Sequence, residues 1–358
     1  MNFFHTYIVK NARIFNGCGY QNGSLAVANG KITAVGDFPL PKDADVIDGS
    51  GRLLTPGLVD IHTHLKNISS DVYGADASLC TLSFGVTAAV DAGAGRGDKA
   101  YLDTLSPDTA VFIEIKSKND APCLDGALER AASYGDRFAG IKIYLDTSSP
   151  EVKSLRLLET AVDFAGVNHF RVMVHTTGTP APMRDVVKAL RKGDILTHAY
   201  HGGEHNVRDE NFAAIFLAKE KGVVVDTGMA CHIHTDFDVL AKAIERGALP
   251  DTISTDITKL SVYMRGSRYG LTTCMSICRH LGMREEDILK CVTVNAANAV
   301  GRPAWGRLAV GGDATFAVID TERRDRFSAV DRAGNHIEGV DCYRCLLTVV
   351  KGEILYRD

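Results

Sequence analysis

The sequence predicts an α/β protein, a (β/α)8 TIM barrel over residues 55–304 with a small β-sandwich domain formed from both chain termini, 1–54 plus 305–358. Two observations support this prediction. From residue 57 onward, short apolar segments alternate eight times with longer helical patterns, over about 250 residues, the usual size of such a barrel. On either side, β-branched runs separated by Asn-Gly, Gly-Lys and Asp-Gly turns indicate strands.

The barrel strands are predicted from short apolar runs, and right-handed crossovers make their parallel closure the economical arrangement. The predicted strands are 57–65, 85–94, 109–116, 138–146, 171–177, 194–202, 222–229 and 251–257. Helices are clearest at 151–167, 181–191, 208–221 and 236–247, and after the eighth strand at 269–282 and 284–301.

Composition excludes several classes of protein. With 358 residues, 45% hydrophobic and 23% charged, the chain is neither disordered nor rich in membrane-spanning segments. A net charge of −4 gives no indication of nucleic acid or an anionic membrane as partner, so we expect a small-molecule substrate. The N-terminus lacks the apolar core of a secretory signal, and we expect a cytoplasmic protein. The sequence is compatible with a monomer or with a homo-oligomer.

Several potential metal ligands stand at predicted strand ends, where barrel active sites lie. His62 and His64 share one strand face because side chains alternate. His175, His198 and Asp256 each end a later strand. A lone histidine at a barrel mouth is more often structural, and a lone aspartate is often a helix cap. The joint arrangement is much harder to obtain by chance and predicts a metal site.

Lys142 decides the type of site. Alternation along 138–146 points its side chain into the barrel, where an ammonium beside metal cations is unfavourable. Reaction of the amine with carbon dioxide gives a carbamate, whose two oxygens can bridge two divalent ions. The alternative is a structural lysine paired across the barrel with Asp91 or Glu114.

On these residues the chain resembles the amidohydrolase superfamily, in its binuclear branch with a carboxylated lysine. The likeness runs through nearly the whole chain, including PGLVDIHTH at 56–64, the preceding 46–55 and the late GRLAVGGDA at 306–314. The stretches 193–198 and 250–256 are most similar to dihydroorotase-like deacetylases and relatives of D-aminoacylase.

The resemblance implies roles for each residue. His62, His64 and Asp256 would bind the more buried ion, and His175 and His198 the more exposed one. Carboxylated Lys142 and a hydroxide would bridge the pair, and Asp256 would shuttle the proton. Zinc is the expected metal, with manganese, iron or cobalt as alternatives.

We expect a hydrolase that cleaves an acyl amide or ester bond of a small carboxylated molecule, with a deacetylase as the leading hypothesis. A cyclic-amide hydrolase of the dihydroorotase or hydantoinase type is the alternative, and a non-catalytic scaffold is a third. Lys66 stands where dihydroorotases typically carry an arginine for the substrate carboxylate. The predicted substrate contacts are Tyr144, His201, His232 and Arg268, with His234 in the same predicted loop as His232.

Overall fold

The computed structural model describes residues 6–40, 44–69, 73–95, 99–230, 232–264, 267–321, 327–339 and 342–358. At 263, 264, 267, 268 and 327 the description covers the backbone and not the side chain. Within these ranges no helix combines the length and the apolar character needed to cross a membrane.

The N-terminal segment forms strands, as its turn-punctuated β-branched runs predict. They are β1 (Tyr7–Phe15), β2 (Tyr20–Ala28), β3 (Lys31–Gly36), β4 (Asp45–Asp48) and β5 (Leu53–Pro56). Strands β1, β2 and β3 pair antiparallel, and β4 and β5 lie parallel to β1.

Strands and helices then alternate along the chain. The first elements are β6 (Leu58–Thr63), α1 (Ala77–Cys80), β7 (Val86–Ala94), α2 (Lys99–Asp103), β8 (Asp108–Ile115), β9 (Ser117–Lys118), β10 (Ala121–Pro122), α3 (Ala127–Tyr134), β11 (Phe138–Tyr144) and α4 (Arg156–Val167). They are followed by β12 (Val172–His175), α5 (Met183–Ala189), β13 (Ile195–Thr197), α6 (Ala213–Lys221), β14 (Val224–Val225), α7 (Phe237–Glu245), β15 (Tyr263–Met264), β16 (Ser267–Arg268), α8 (Leu271–His280), α9 (Glu285–Cys291) and α10 (Val294–Ala299).

Seven of these strands form one parallel sheet in the order β6-β7-β8-β11-β12-β13-β14. The segment 251–257 closes the barrel through isolated parallel bridges, from Thr252 to Asp226 beyond β14 and from Ile257 to Thr63 of β6. The predicted α/β class and barrel architecture are confirmed. The eighth predicted strand is present as a closing segment without a regular ladder of its own.

The C-terminal segment returns to the first sheet with β17 (Phe316–Asp320), β18 (Phe327–Val330), β19 (His336–Gly339), β20 (Arg344–Val350) and β21 (Glu353–Arg357). The terminal sheet has the order β21-β20-β17-β5-β1-β2-β3, so strands from both chain ends lie side by side. Strands β18 and β19 form a separate antiparallel hairpin.

Alternation along the central strands gives the terminal sheet two apolar faces. Ile14 and Leu54 belong to a core within the terminal sheet, together with Phe316. Their neighbours Phe15 and Leu53 pack into the main core around the barrel helices. Because both faces are buried, the terminal sheet is fixed against the barrel by apolar packing.

The β18–β19 hairpin reaches the barrel mouth. Asp331, in its turn, accepts a 2.8 Å hydrogen bond at Oδ2 from the N–H of Phe237, the first residue of α7. The N–H of Arg332 donates to the carbonyl of Thr235 at 3.0 Å. The hairpin is thereby hydrogen-bonded to the loop that precedes α7.

The predicted helices occur with shorter bounds, and one is divided. The sequence predicts a single helix over 284–301, whereas the structure has α9 and α10 separated at Thr293. That residue is non-helical, with φ −129° and ψ −100°. Its hydroxyl donates to the carbonyl of Leu289, and Gly306 lies so close that an added Cβ would be 2.5 Å from the carbonyl carbon of Thr293.

We expect Gly57→Ala to destabilise the protein, because Gly57 enters β6 in contact with the neighbouring strand. An added Cβ would lie 2.6 Å from Cγ2 and 2.7 Å from Cβ of the buried Thr87. Overpacking of this kind lowers the free energy of unfolding by about 1–3 kcal/mol. Urea unfolding followed by circular dichroism measures the change.

Two further variants check the cause. Thr87→Ala in the Gly57→Ala background removes the clash and should recover much of the lost stability. Gly19→Ala is the matched control, since nothing lies within 4 Å of its added Cβ, and it should change the unfolding free energy by less than about 0.5 kcal/mol. A double variant no more stable than Gly57→Ala alone would contradict the packing explanation.

Candidate metal centre

The structure brings all six residues predicted as ligands to the C-terminal mouth of the barrel. Each lies in, or directly after, the strand or closing segment from which it was predicted. They are His62, His64, Lys142, His175, His198 and Asp256.

His62, His64 and Asp256 form a first group of candidate metal ligands, called here the first donor group. Asp256 Oδ1 lies 3.2 Å from His62 Nε2 and 3.0 Å from His64 Nε2, so one carboxylate oxygen faces two imidazoles. His62 and Asp256 are buried, whereas His64 is partly exposed. Two imidazole nitrogens and a carboxylate oxygen form a donor set suited to a divalent transition ion.

A buried hydroxyl and carboxylate orient the ring of His62. Thr197 Oγ1 donates to Asp226 Oδ2 at 2.7 Å and lies 2.9 Å from His62 Nδ1. Because the single hydroxyl proton is used toward Asp226, the His62 Nδ1–H must donate to Thr197. His62 therefore keeps a lone pair on Nε2, facing the site, which is the tautomer that a metal ligand needs.

A similar series of hydrogen bonds orients the ring of His64. Ser69 Oγ lies 3.0 Å from His64 Nδ1 and 2.9 Å from both carboxylate oxygens of Asp91. Asp91 also accepts from the backbone N–H groups of Leu65 at 2.7 Å and Gly93 at 3.0 Å. The carboxylate is thus fixed behind the hydroxyl, and His64 again presents Nε2 to the site.

Lys142 is buried beside the first group. Its Nζ lies 2.9 Å from His62 Nε2 and 3.5 Å from Met173 Sδ. Burial lowers the pKa of its ammonium to about 8, against the attraction of Asp256. A neutral amine is therefore accessible near neutral pH, and this is the form that reacts with carbon dioxide.

The alternative partners of Lys142 are not in contact with it. Within the described ranges no ion pair joins its Nζ to Asp91 or Glu114. Asp91 is instead surrounded by backbone N–H groups and the Ser69 hydroxyl, and Glu114 is only partly buried. The contacts of Lys142 thus point to the site and not to a structural ion pair.

A second group consists of His175, His198 and His234, which have nitrogens within 4.8 Å of one another. His198 Nδ1 donates to the carbonyl of Gly228 at 2.7 Å, which leaves a lone pair on its Nε2. His175 Nε2 is buried and has no hydrogen bond of normal geometry, although Asp146 Oδ2 lies 3.4 Å away. Such an orphaned donor atom among imidazoles fits a bound cation.

At the mouth, the backbone adopts left-handed conformations that residues other than glycine rarely take. His198 has φ 60° and Asp256 has φ 50°, both in the left-handed region. Gly228 has φ 46°, and a Cβ there would lie 2.7 Å from His198 Nδ1. Left-handed backbone costs of the order of 1–3 kcal/mol per residue and is concentrated at functional sites.

His234 is the donor that sequence reasoning did not place among the metal ligands. It lies in the loop between β14 and α7, where the N–H and hydroxyl of Thr235 both bond to the carbonyl of Met229, at 3.2 and 2.9 Å. No strand-end rule locates a residue in such a turn. The one indication in the sequence is the His-x-His spacing that His234 shares with His232. The structure distinguishes the two residues, since His234 is largely buried and His232 is exposed.

The residues predicted to contact substrate take different positions. Tyr144 is half-exposed with its ring centroid 4.1 Å from that of His175, so it lies at the mouth. His201 is fully buried, with no hydrogen-bond partner at Nε2. Arg268 belongs to β16, but its side chain lies outside the described part of the structure.

Asp146 is a second neighbour to which sequence reasoning gave no role. Its Oδ2 lies 3.4 Å from His175 Nε2 and 3.3 Å from the hydroxyl of Tyr144. Burial would raise its pKa, but His175 and the N–H of Ser148 hold the pKa of this carboxyl well below its usual range. Asp146 therefore adds a carboxylate charge beside the second donor group.

Electrostatics favour the neutral imidazole at His62, His198 and His234 and the charged carboxylate at Asp256. At His64, burial lowers the pKa but the contact with Asp256 outweighs it and raises the pKa. Burial, aided by neighbouring cationic groups, lowers the pKa of His62 to about 4 and that of His234 to about 3, and it lowers the pKa of His198 well below its ordinary value. Burial alone would raise the pKa of Asp256, but His62 and His64 hold it below its usual range. This is the protonation state in which these groups bind metal.

Residues 53–355, which include both donor groups, match the Amidohydrolase family. The chain belongs to the amidohydrolase family. Its relatives include proteins named deacetylase, dihydroorotase and hydantoinase, which act on amide bonds, and this amidohydrolase is an enzyme of that kind. The likeness expected from the strand-end residues is therefore confirmed.

Comparison with individual proteins agrees with the family. A deacetylase from Brucella anthropi is 30% identical to this amidohydrolase over 337 residues, which cover 87% of this chain and 82% of the relative. A dihydroorotase from Anaeromyxobacter sp. (strain K) is 26% identical over 436 residues, covering 98% of each chain. A dihydroorotase crystal structure superposes with a TM-score of 0.86 at 24% identity, covering 99% of this chain and 98% of that one, which shows a shared fold.

We expect the metal-free amidohydrolase to lose stability as the pH falls from 7 to 5. Unfolded histidines bind protons near pH 6.5, whereas burial lowers the folded pKa of His62 to about 4 and those of His201 and His234 to about 3. Below pH 6.5 the unfolded chain therefore binds more protons, and each such group removes up to about 1.4 kcal/mol per pH unit. Asp60, whose pKa burial raises to about 7, opposes this trend, as do Asp91 and His64, whose pKa values are also raised.

Urea unfolding at pH 7, 6 and 5 measures this slope. His201→Gln removes one buried imidazole and should make the slope shallower by roughly one group's contribution. His169→Gln is the matched control, because His169 is exposed, and it should leave the slope unchanged. Unfolding free energies that stay constant or rise toward pH 5 would contradict the expectation.

Proposed function

We propose that this amidohydrolase removes an acyl group, acetyl in the first instance, from a small carboxylated molecule in a metal-dependent reaction. The observation that carries the proposal is the convergence of six donor residues on one barrel mouth: His62, His64, Lys142, His175, His198 and Asp256. The deacetylase from Brucella anthropi supports an acyl bond as the target.

Two divalent ions, with zinc the first candidate, fit the two donor groups. When bound, such ions polarise a substrate carbonyl and lower the pKa of water. His62, His64 and Asp256 would hold one ion, and His175 and His198 the other. Thr197 behind His62 and Ser69 behind His64 hold both rings in the tautomer that a metal ligand needs. Binding of an ion therefore requires little rearrangement of these rings.

Lys142 would link the two groups as a carbamate. The neutral amine forms a bond from Nζ to the carbon of carbon dioxide and releases a proton to solvent. The change replaces a cation by an anion with two oxygens, which offsets the positive charge of two dications in a buried setting. The pKa of about 8, lowered by burial, makes the reactive amine available near neutral pH.

Asp256 is suited to carry the proton. Its Oδ1 faces His62 and His64 while its Oδ2 lies 3.4 Å from His234, so the carboxylate reaches both donor groups. Its pKa, held low by the imidazoles against the effect of burial, keeps it ionised and able to accept a proton from the attacking water. It can then deliver that proton to the leaving nitrogen.

A cyclic-amide substrate is the second candidate, favoured by the likeness to the Anaeromyxobacter dihydroorotase. A lysine just beyond the His62–His64 pair argues against it. Lys66 is exposed and, as a lysine, lacks the fork geometry with which an arginine clamps a carboxylate. A screen of N-acyl and O-acyl amino and hydroxy acids of both hands, with dihydroorotate and hydantoins as cyclic comparators, separates the two candidates.

We expect elemental analysis to find close to two divalent ions per chain when the protein is produced with zinc and bicarbonate. His175→Ala removes a donor whose Nε2 has no protein hydrogen bond, so it should reduce the content toward one ion without unfolding the chain. His169→Ala, at an exposed position, should keep the full content. A folded wild-type protein that takes up no ion would refute the metal-dependent proposal.

We expect Asp256→Asn to lower turnover by at least about 100-fold, because an amide cannot accept the proton from water. The variant is assayed on whichever acyl substrate the screen identifies, with metal content and circular dichroism measured on the same sample. Full activity in Asp256→Asn at normal metal content would show that another group carries the proton.

A further inference from the structure

We infer that His234 is a ligand of the more exposed ion, so that His175, His198 and His234 form a three-histidine site able to hold one divalent transition ion without the Lys142 carbamate. The inference deepens the proposed function and rests on it for the presence of metal at this mouth. It adds a ligand from the loop after β14, which the strand-end residues do not include.

The three rings form a tight triangle. Centroid separations are 4.4 Å for His175 and His198, 4.0 Å for His198 and His234, and 5.0 Å for His175 and His234. One nitrogen from each ring lies within 4.8 Å of the others. Ligand nitrogens around a tetrahedral zinc are about 3.4 Å apart, so small ring rotations would bring all three into range.

His234 is held from behind, as ligand histidines are. Its Nδ1 lies 3.0 Å from the hydroxyl of Thr177, in the segment after β12. With Nδ1 occupied in this way, Nε2 is turned toward the site. The Nε2 atom lies 3.4 Å from Asp256 Oδ2, longer than the roughly 2.7–2.9 Å of a charge-assisted hydrogen bond. Asp256 is therefore not a tight hydrogen-bond partner for it.

The loop that carries His234 is fixed on both sides. Thr235 bonds to Met229 through its N–H and hydroxyl, and its carbonyl accepts from the N–H of Arg332 in the β18–β19 hairpin. Two residues further on, Phe237 donates its N–H to Asp331. A loop bonded in this way presents a side chain at a defined position, as a metal ligand requires.

The donor chemistry sets this group apart from the first. Three neutral imidazoles prefer zinc, cobalt, nickel or copper and have little affinity for magnesium or calcium. Three histidines with a fourth position open are a sufficient zinc site. The group would therefore bind one ion while Lys142 is still an amine, and the second ion would follow once the carbamate has formed.

The test is a cobalt titration of metal-free protein in bicarbonate-free buffer, followed by visible absorption and by competition with a chelator. Wild type should bind one cobalt ion with bands typical of low coordination number, and Lys142→Ala should do the same. His234→Ala should bind that ion at least about 100-fold more weakly. Thr177→Val, which removes only the support of the ring, should weaken binding by about 10- to 100-fold.

His232→Ala is the matched control, the same residue type two positions away in the same loop but exposed, and it should bind cobalt as wild type does. Circular dichroism of each metal-free variant checks the fold. His234→Ala and Thr177→Val with wild-type affinity and spectrum would overturn the inference. That result with intact amide hydrolysis would leave the proposed function standing, whereas a wild type that binds no cobalt even with bicarbonate would overturn both.

Discussion

The site depends on the hydrogen bonds that join the first and last segments of the barrel. The N–H of Asp256 donates to the carbonyl of His62 at 2.7 Å, and the N–H of His64 donates to the carbonyl of Ile257 at 2.9 Å. Beneath them the buried carboxyl of Asp60 accepts from the N–H and the hydroxyl of Thr255. These bonds bring one carboxylate and two imidazoles together from opposite ends of the barrel, so the contacts that close the barrel also hold the first donor group in place.

A second layer of polar contacts lies inside the barrel, behind the ligands. Asp226 accepts hydrogen bonds of 2.7 Å from the hydroxyls of Thr197, Thr252 and Ser254. A buried carboxylate without partners would cost several kcal/mol, and three donors offset most of that cost. The same network directs the Nδ1–H of His62. Stability of the interior and ligand orientation therefore rest on the same groups.

Sequence reasoning places the candidate ligands that stand at strand ends. His175 and His198 could be placed because the C-terminal ends of parallel strands meet at one mouth. His234 could not, because its position depends on a turn closed by the Thr235 side chain and on a hairpin nearly a hundred residues later. The division of 284–301 was equally hidden, because helical periodicity does not report the non-helical backbone at Thr293, where Gly306 packs closely.

The β18–β19 hairpin also has a consequence for the order of synthesis. His62 and His64 leave the ribosome early, but Asp256 emerges about two hundred residues later, and Asp331, which fixes the start of α7, later still. Strand β17 pairs with β5, and the later strands β20 and β21 add beyond it to complete the terminal sheet. A nascent chain thus carries two early histidines without their partners through most of translation. The first group of candidate ligands is complete only once Asp256 has emerged, so the proposed metal site forms in the second half of synthesis.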